Sequence, residues 1–172
     1  MLKEQLAARL EQAFSELGLA QPNVTQLKVF CCVSRRTLYK YFSSKEEMII
    51  AALDYRHRRY LQFLTEDCPG PGSEAIVHVF STLGVWLERH ASKGCMSMNA
   101  IAAFPDNINI SRIVRDHKED VRQVLEMISK RSDLASQFFV IHEGLLATWP
   151  LIGDDALESA KLCVANLLSS GK

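Results

Sequence analysis

Between Val33 and Met48 the chain reads Val-Ser-Arg-Arg-Thr-Leu-Tyr-Lys-Tyr-Phe-Ser-Ser-Lys-Glu-Glu-Met, a short helix with a stop signal at each end. Ser34 is a good N-cap. Leu38 and Phe42 are four apart and share one helical face, so they belong to a core. Ser43-Ser44 and the acidic turn Glu46-Glu47 then start a second helix. Residues 35–42 are therefore held to about two turns. Arg35, Arg36, Thr37, Tyr39, Lys40 and Tyr41 project away from the apolar face, and all can reach phosphates or base edges. A short basic and aromatic helix of this kind suits a DNA groove.

The surrounding pattern is helical throughout. Leu2, Leu6, Leu10, Ala13, Phe14 and Leu17 recur at spacings of three and four, with Gly18 placed as a left-handed cap. Val24, Leu27 and Phe30 give a short second helix, so residues 2–42 read as a supported helix-turn-helix. A long helix is expected from about Lys45 to Leu64, extending to about 66 as a link to the next region. The break Cys-Pro-Gly-Pro-Gly-Ser at 68–73 is the clearest interruption. Beyond it, Ile76 to Leu87 predicts a helix ending near Gly94. Cys95–Phe104 is a short apolar, small-residue segment. Ile110 to Ile128 forms one continuous stripe, Phe138 to Ile152 is apolar nearly all round, and Leu157 to Leu168 forms a last stripe. The fold class is all-α, with about nine helices. Residues 1–46 are expected to form the helix-turn-helix domain and residues 47–172 a helical second domain.

A formal net charge of zero hides an asymmetry. Residues 1–60 carry ten Lys and Arg against six Asp and Glu; residues 61–172 carry ten against fourteen. The positive excess lies where the groove-reading helix lies. Five cysteines, an odd number with no Cys-x-x-Cys and no secretory leader, suggest reduced thiols in a cytoplasmic protein. No apolar run approaches the ~18 residues that a membrane span needs. Enzyme signatures are weak: His142-Glu143-Gly144-Leu145-Leu146 lacks the second histidine of a zinc protease motif, and the other histidines show no metal spacing. No metal, cofactor or catalytic residue is expected.

The string from Val33 to Met48 closely resembles the DNA-binding segment of TetR-family transcriptional regulators. The Gly94-Cys95-Met96, Asn99-Ala100 and Ala103-Phe104-Pro105 positions, Asp116-His117-Lys118 and Glu143-Gly144-Leu145 are also similar to one subgroup of that family. The resemblance implies an all-helical homodimer that reads a palindromic DNA operator, together with a small effector that shifts the dimer between bound and released states; the regulator is expected to be a repressor. It implies phosphate contacts from Tyr39 and Lys45, with Thr25 as a further candidate. Arg35, Arg36, Thr37 and Lys40 are the base-reading candidates, and Ser34 and Tyr41 complete the DNA-binding set. Effector contacts are expected from Phe80, Trp86, Met98, Asn99, Phe104, His117, Phe139 and Glu143, a set suited to an apolar or aromatic molecule. For most of these the alternative is plain core packing, and for His117 a satisfied core histidine. The doubly apolar stretch needs cover on two sides. The expected interface is therefore a four-helix contact between two copies, through helices near 134–151 and 155–169. Burial within one chain is the alternative.

Residues 22–32 depart from the family pattern. Lys28 stands where a small residue is usual, and Cys32 where the turn usually carries Gly. Arg36 also replaces a position often occupied by Gly, adding positive charge. Two readings of the first two departures remain: a working reader, or a small-molecule-binding relative whose DNA affinity has decayed. A third reading makes Cys31 and Cys32 a thiol-based sensor, since a helix N-terminus and Arg35 could lower a thiol pKa.

Overall fold

The structure, a computed structural model, describes residues 2–169, and among these it is all-helical. Nine α-helices follow in order: α1 (Leu2–Leu17), α2 (Val24–Phe30), α3 (Arg35–Tyr41), α4 (Lys45–Thr65), α5 (Ser73–His90), α6 (Met96–Ala103), α7 (Ile108–Ser129), α8 (Ala135–Ile152) and α9 (Asp154–Ser169). A 3-10 turn, Ser132–Leu134, precedes α8. Within the apolar segment expected at 95–104 the structure forms a helix, α6, which the pattern does not announce because Met-Ser-Met-Asn-Ala-Ile-Ala-Ala offers little polar face from which to count a period. The helix expected to end near Gly94 stops at His90, and Gly94 (φ +83°) closes the turn that follows.

The chain packs as two compact units. The first comprises residues up to Arg59 with Met96–His117; the second comprises Tyr60–Cys95 with residues from Lys118 onward.

In the first unit the stripe of α1 (Leu6, Leu10, Ala13, Phe14) closes with Leu27, Leu38, Phe42, Met48, Ile49 and Leu53 into one core, joined by Met96, Ala100, Ile110 and Val114. Glu11 lies inside the α1 stripe, one turn from Ala7. Its carboxylate accepts from both Arg56 and Arg59 of α4. A buried carboxylate unpaired would cost several kcal/mol, so this fork fixes how α1 meets α4.

In the second unit Ile76, Val79, Phe80, Leu83 and Leu87 of α5 pack with Phe138, Leu145 and Leu146 of α8 and Ala156, Ala160 and Val164 of α9. Gly84 allows the α5–α9 approach: a Cβ there would lie 2.4 Å from a Leu157 methyl. Pro150, in the last turn of α8, has no N–H for the Leu146 carbonyl, and Gly94 faces both residues.

A polar chain crosses this core. The Tyr60 hydroxyl meets His142 Nε2, His142 Nδ1 lies 2.9 Å from Glu143, and Glu143 takes the Lys118 ammonium at 2.6 Å. Lys118 Nζ also lies 3.4 Å from Cys95 Sγ. The partners fix the tautomer: His142 donates from Nδ1 to the carboxylate and accepts the tyrosine proton at Nε2. Burial holds the imidazole below its ordinary value, 6.5. Burial pushes the Glu143 carboxyl up, but the bond from His142 and the Lys118 charge outweigh it, and the net shift is downward.

The folded protein thus keeps His142 neutral, whereas the unfolded chain protonates it near pH 6.5. The stability this histidine contributes is complete above that pH and is lost as pH falls through the depressed folded value, by at most about 1.4 kcal/mol per pH unit for one proton. Thermal unfolding of the wild type should show Tm declining between pH 7.5 and 5.5, and His142→Gln should flatten that decline.

Candidate nucleic-acid interface

The helix-turn-helix is built from three local devices. Asn23 caps α2 reciprocally: its side chain accepts from the Gln26 N–H at 3.0 Å, and its own N–H donates to Gln26 Oε1 at 2.9 Å. Ser34 caps α3, accepting from the Thr37 N–H at 3.0 Å. Between them the chain reverses in a Schellman turn. The Val33 N–H donates to the Lys28 carbonyl and the Cys32 N–H to the Val29 carbonyl, each at 3.0 Å. Cys32 adopts φ +52° to do this. The turn therefore forms without glycine, at a strain of about 1 kcal/mol.

Arg9 holds the turn from behind. Its guanidinium donates to the Cys31 carbonyl, placing a cation at the C-terminus of α2. Neither Arg9 nor Glu11 was in the expected site. The available signal was a charge within the apolar stripe of α1, at Glu11.

From Leu17 to Lys45 the sequence has five Lys and Arg and no carboxylate. Arg35, Arg36, Tyr39 and Lys40 are exposed on α3, and Thr25 is exposed in the first turn of α2. Arg35 lies over the Tyr39 ring (5.4 Å) and Lys40 over the Tyr41 ring (5.6 Å), so the aromatics orient the cations. Leu38 and Phe42 are fully buried, as their spacing requires. Thr37 is half-buried and its hydroxyl lies 2.8 Å from Ser34 Oγ, so both belong first to the cap. Tyr41 is half-buried against the core. Lys45 is folded back: its ammonium donates to the Ala20 carbonyl at 2.7 Å, and burial lowers its pKa. An ammonium has three donors, so two remain for a phosphate.

The expected effector residues do not form one cluster. Phe80, Trp86, Phe139 and Glu143 lie in the second unit. Phe80 and Trp86 are buried there, and Trp86 packs edge-on to Tyr60 with centroids 5.1 Å apart. Glu143 belongs to the polar chain. Met98, Asn99, Phe104 and His117 lie in the first unit, with Met98 and Asn99 exposed. His117 is buried and stacked on His57. Its Nε2 lies 2.8 Å from Asp54, and its Nδ1 has no hydrogen-bond partner.

Cys31 is buried, and burial pushes its thiol up to about 11, away from the reactive thiolate. Cys32 is exposed. Among the described residues, no group of three or more His, Cys, Asp or Glu side chains is placed to hold a metal ion, and no helix is long and apolar enough to cross a membrane.

Cys32→Gly should relieve the strained φ. The greater freedom of glycine in the unfolded chain offsets part of the gain, leaving a stabilisation of about 0.5 kcal/mol. Denaturant unfolding would read it; a destabilised variant would contradict the account of the turn.

No family sequence model matches the chain, and no curated protein matches it. Solved structures do. A TetR-family transcriptional regulator from Streptomyces coelicolor superposes with a TM-score of 0.86 over 96% of this chain and 87% of its own, at 20% identity. NemR of E. coli, in its reduced form, gives 0.82 over 95% of each chain at 21% identity. A TetR transcription regulator from Haloarcula marismortui gives 0.81 over 98% of this chain and 96% of its own at 17% identity. The resemblance carried by residues 33–48 therefore extends along almost the whole length, and the fold of this chain is that of TetR-family transcriptional regulators.

Proposed function

We propose that this chain is a DNA-binding transcriptional regulator, a ligand-responsive repressor that reads a palindromic operator as a homodimer. The observation that carries the reading is the α2–α3 corner: two capped helices and a closed turn carry four cations, Lys28, Arg35, Arg36 and Lys40, with no carboxylate in that stretch of sequence. Tyr39, Lys45 and Thr25 take phosphates, which set position without reading sequence. Arg35, Arg36 and Lys40 read base edges, Arg through the paired acceptors of guanine. Ser34 and Thr37 act by fixing the start of α3, and Tyr41 by orienting Lys40.

The dimer reading rests on exposed faces of the second unit. Val140, Gly144, Ala147 and Leu151 lie along one side of α8, and all are exposed; on α9 Leu162 is 63% exposed. A stripe of small and apolar residues on two adjacent helices suits a four-helix contact with a second copy. His117, whose Nδ1 has no partner although its Nε2 meets Asp54, supports an effector that donates a hydrogen bond. Effector binding then favours a subunit arrangement whose recognition helices no longer match half-sites about 34–36 Å apart.

Fluorescence anisotropy with labelled duplexes of mixed sequence, across a salt series, tests DNA binding. Affinity should fall steeply as salt rises; absence of any salt-dependent binding overturns the proposal. Tyr39→Phe should weaken binding about equally on all duplexes, by several-fold. Arg36→Ala should cost about 1–3 kcal/mol at one base position only, and a uniform loss from Arg36→Ala would remove it from the base-reading set.

A further inference from the structure

We infer that Lys28 is a DNA phosphate anchor, so that the residue least like the family pattern adds to binding. This rests on the DNA-binding reading above and deepens it. Lys28 stands in the last turn of α2, where the resemblance leads one to expect a small residue. The helix-turn-helix accommodates it: Lys28 is half-buried, Leu27 beside it is fully buried, and the Lys28 carbonyl closes the turn through Val33. A lysine stem can cover apolar surface while its ammonium stays in water.

Lys28 lines a concavity of about 500 Å³ together with Val29, Cys32, Val33, Ser34 and Arg35. Two of these six are cations and none is a carboxylate. The other lining residues belong to the end of α2, the turn and the start of α3, the segment proposed to face DNA. A compact, strongly hydrated ammonium binds a phosphate as a point charge, without a base edge. The ligand is therefore one phosphate of the DNA backbone, reached from the α2 side of the turn while Arg35 approaches the groove. Arg35 adds a second positive charge at the rim, and the exposed Cys32 side chain contributes no competing charge partner in this structure.

The test measures the salt dependence of anisotropy for mixed-sequence duplexes with wild-type protein, Lys28→Met and Lys28→Arg. Methionine keeps the packed stem and removes the charge; arginine keeps the charge. Each phosphate neutralised contributes about 0.9 to the slope of log affinity against log salt. Lys28→Met should lower the slope by about 0.9 per bound subunit, weakening binding about eightfold per subunit at 0.1 M salt on every duplex, while Lys28→Arg keeps the wild-type slope. Unfolding curves establish that both variants fold, and Lys28→Gln serves as a second neutral variant if the methionine one does not. Wild-type binding with an unchanged slope in the neutral variants overturns this inference and leaves the regulator reading standing. A wild type that binds no duplex overturns the regulator reading itself.

Discussion

The DNA-binding reading of this chain depends on one backbone turn. Residues 31–33 must reverse the chain so that α3 leaves α2 at a fixed angle, and a left-handed residue must stand at its centre. Cys32 takes that conformation although it carries a Cβ. Two backbone hydrogen bonds across the turn, the Ser34 cap after it and the Arg9 contact behind it offset the strain. Without the turn, the cations of α3 would share no defined surface with Lys28 and Thr25. Direction, more than helix content, is what a groove reader needs.

Charge follows the same division of labour. The stretch from Leu17 to Lys45 is cationic and free of carboxylates, and three carboxylates elsewhere in the first unit have partners of their own. Glu11 is clasped by two arginines, Glu46 accepts from Asn107 and Asn109, and Glu47 accepts from the Ser43 N–H. These carboxylates tie α1, α4 and the start of α7 together within the first unit. In the second unit the costly groups form a separate chain from Tyr60 to Lys118, satisfied at every link.

The corner was legible because its signals are local. Ser34 as a cap, the Leu38–Phe42 spacing and Gly18 as a left-handed cap each need only a few neighbouring residues, and each stands as read. Helix α6 was harder, since small apolar residues on all sides give no period. The effector residues were harder still. An aromatic at helical spacing looks the same whether it fills a core, as Phe80 does, or awaits a ligand. Lys45 shows the other limit: its position suits a phosphate contact, but only tertiary packing brings the Ala20 carbonyl to its ammonium. Cys32 and Lys28 leave two readings open in the sequence, because the capacity of a turn to absorb them lies in its backbone hydrogen bonds, which no residue pattern displays.

Selection of the preferred site from a pool of random duplexes tests the central claim most directly. The account predicts enrichment of an inverted repeat whose half-site centres lie about 34–36 Å apart or a multiple of that spacing. Recovery of no enriched sequence from protein shown to be folded would contradict it.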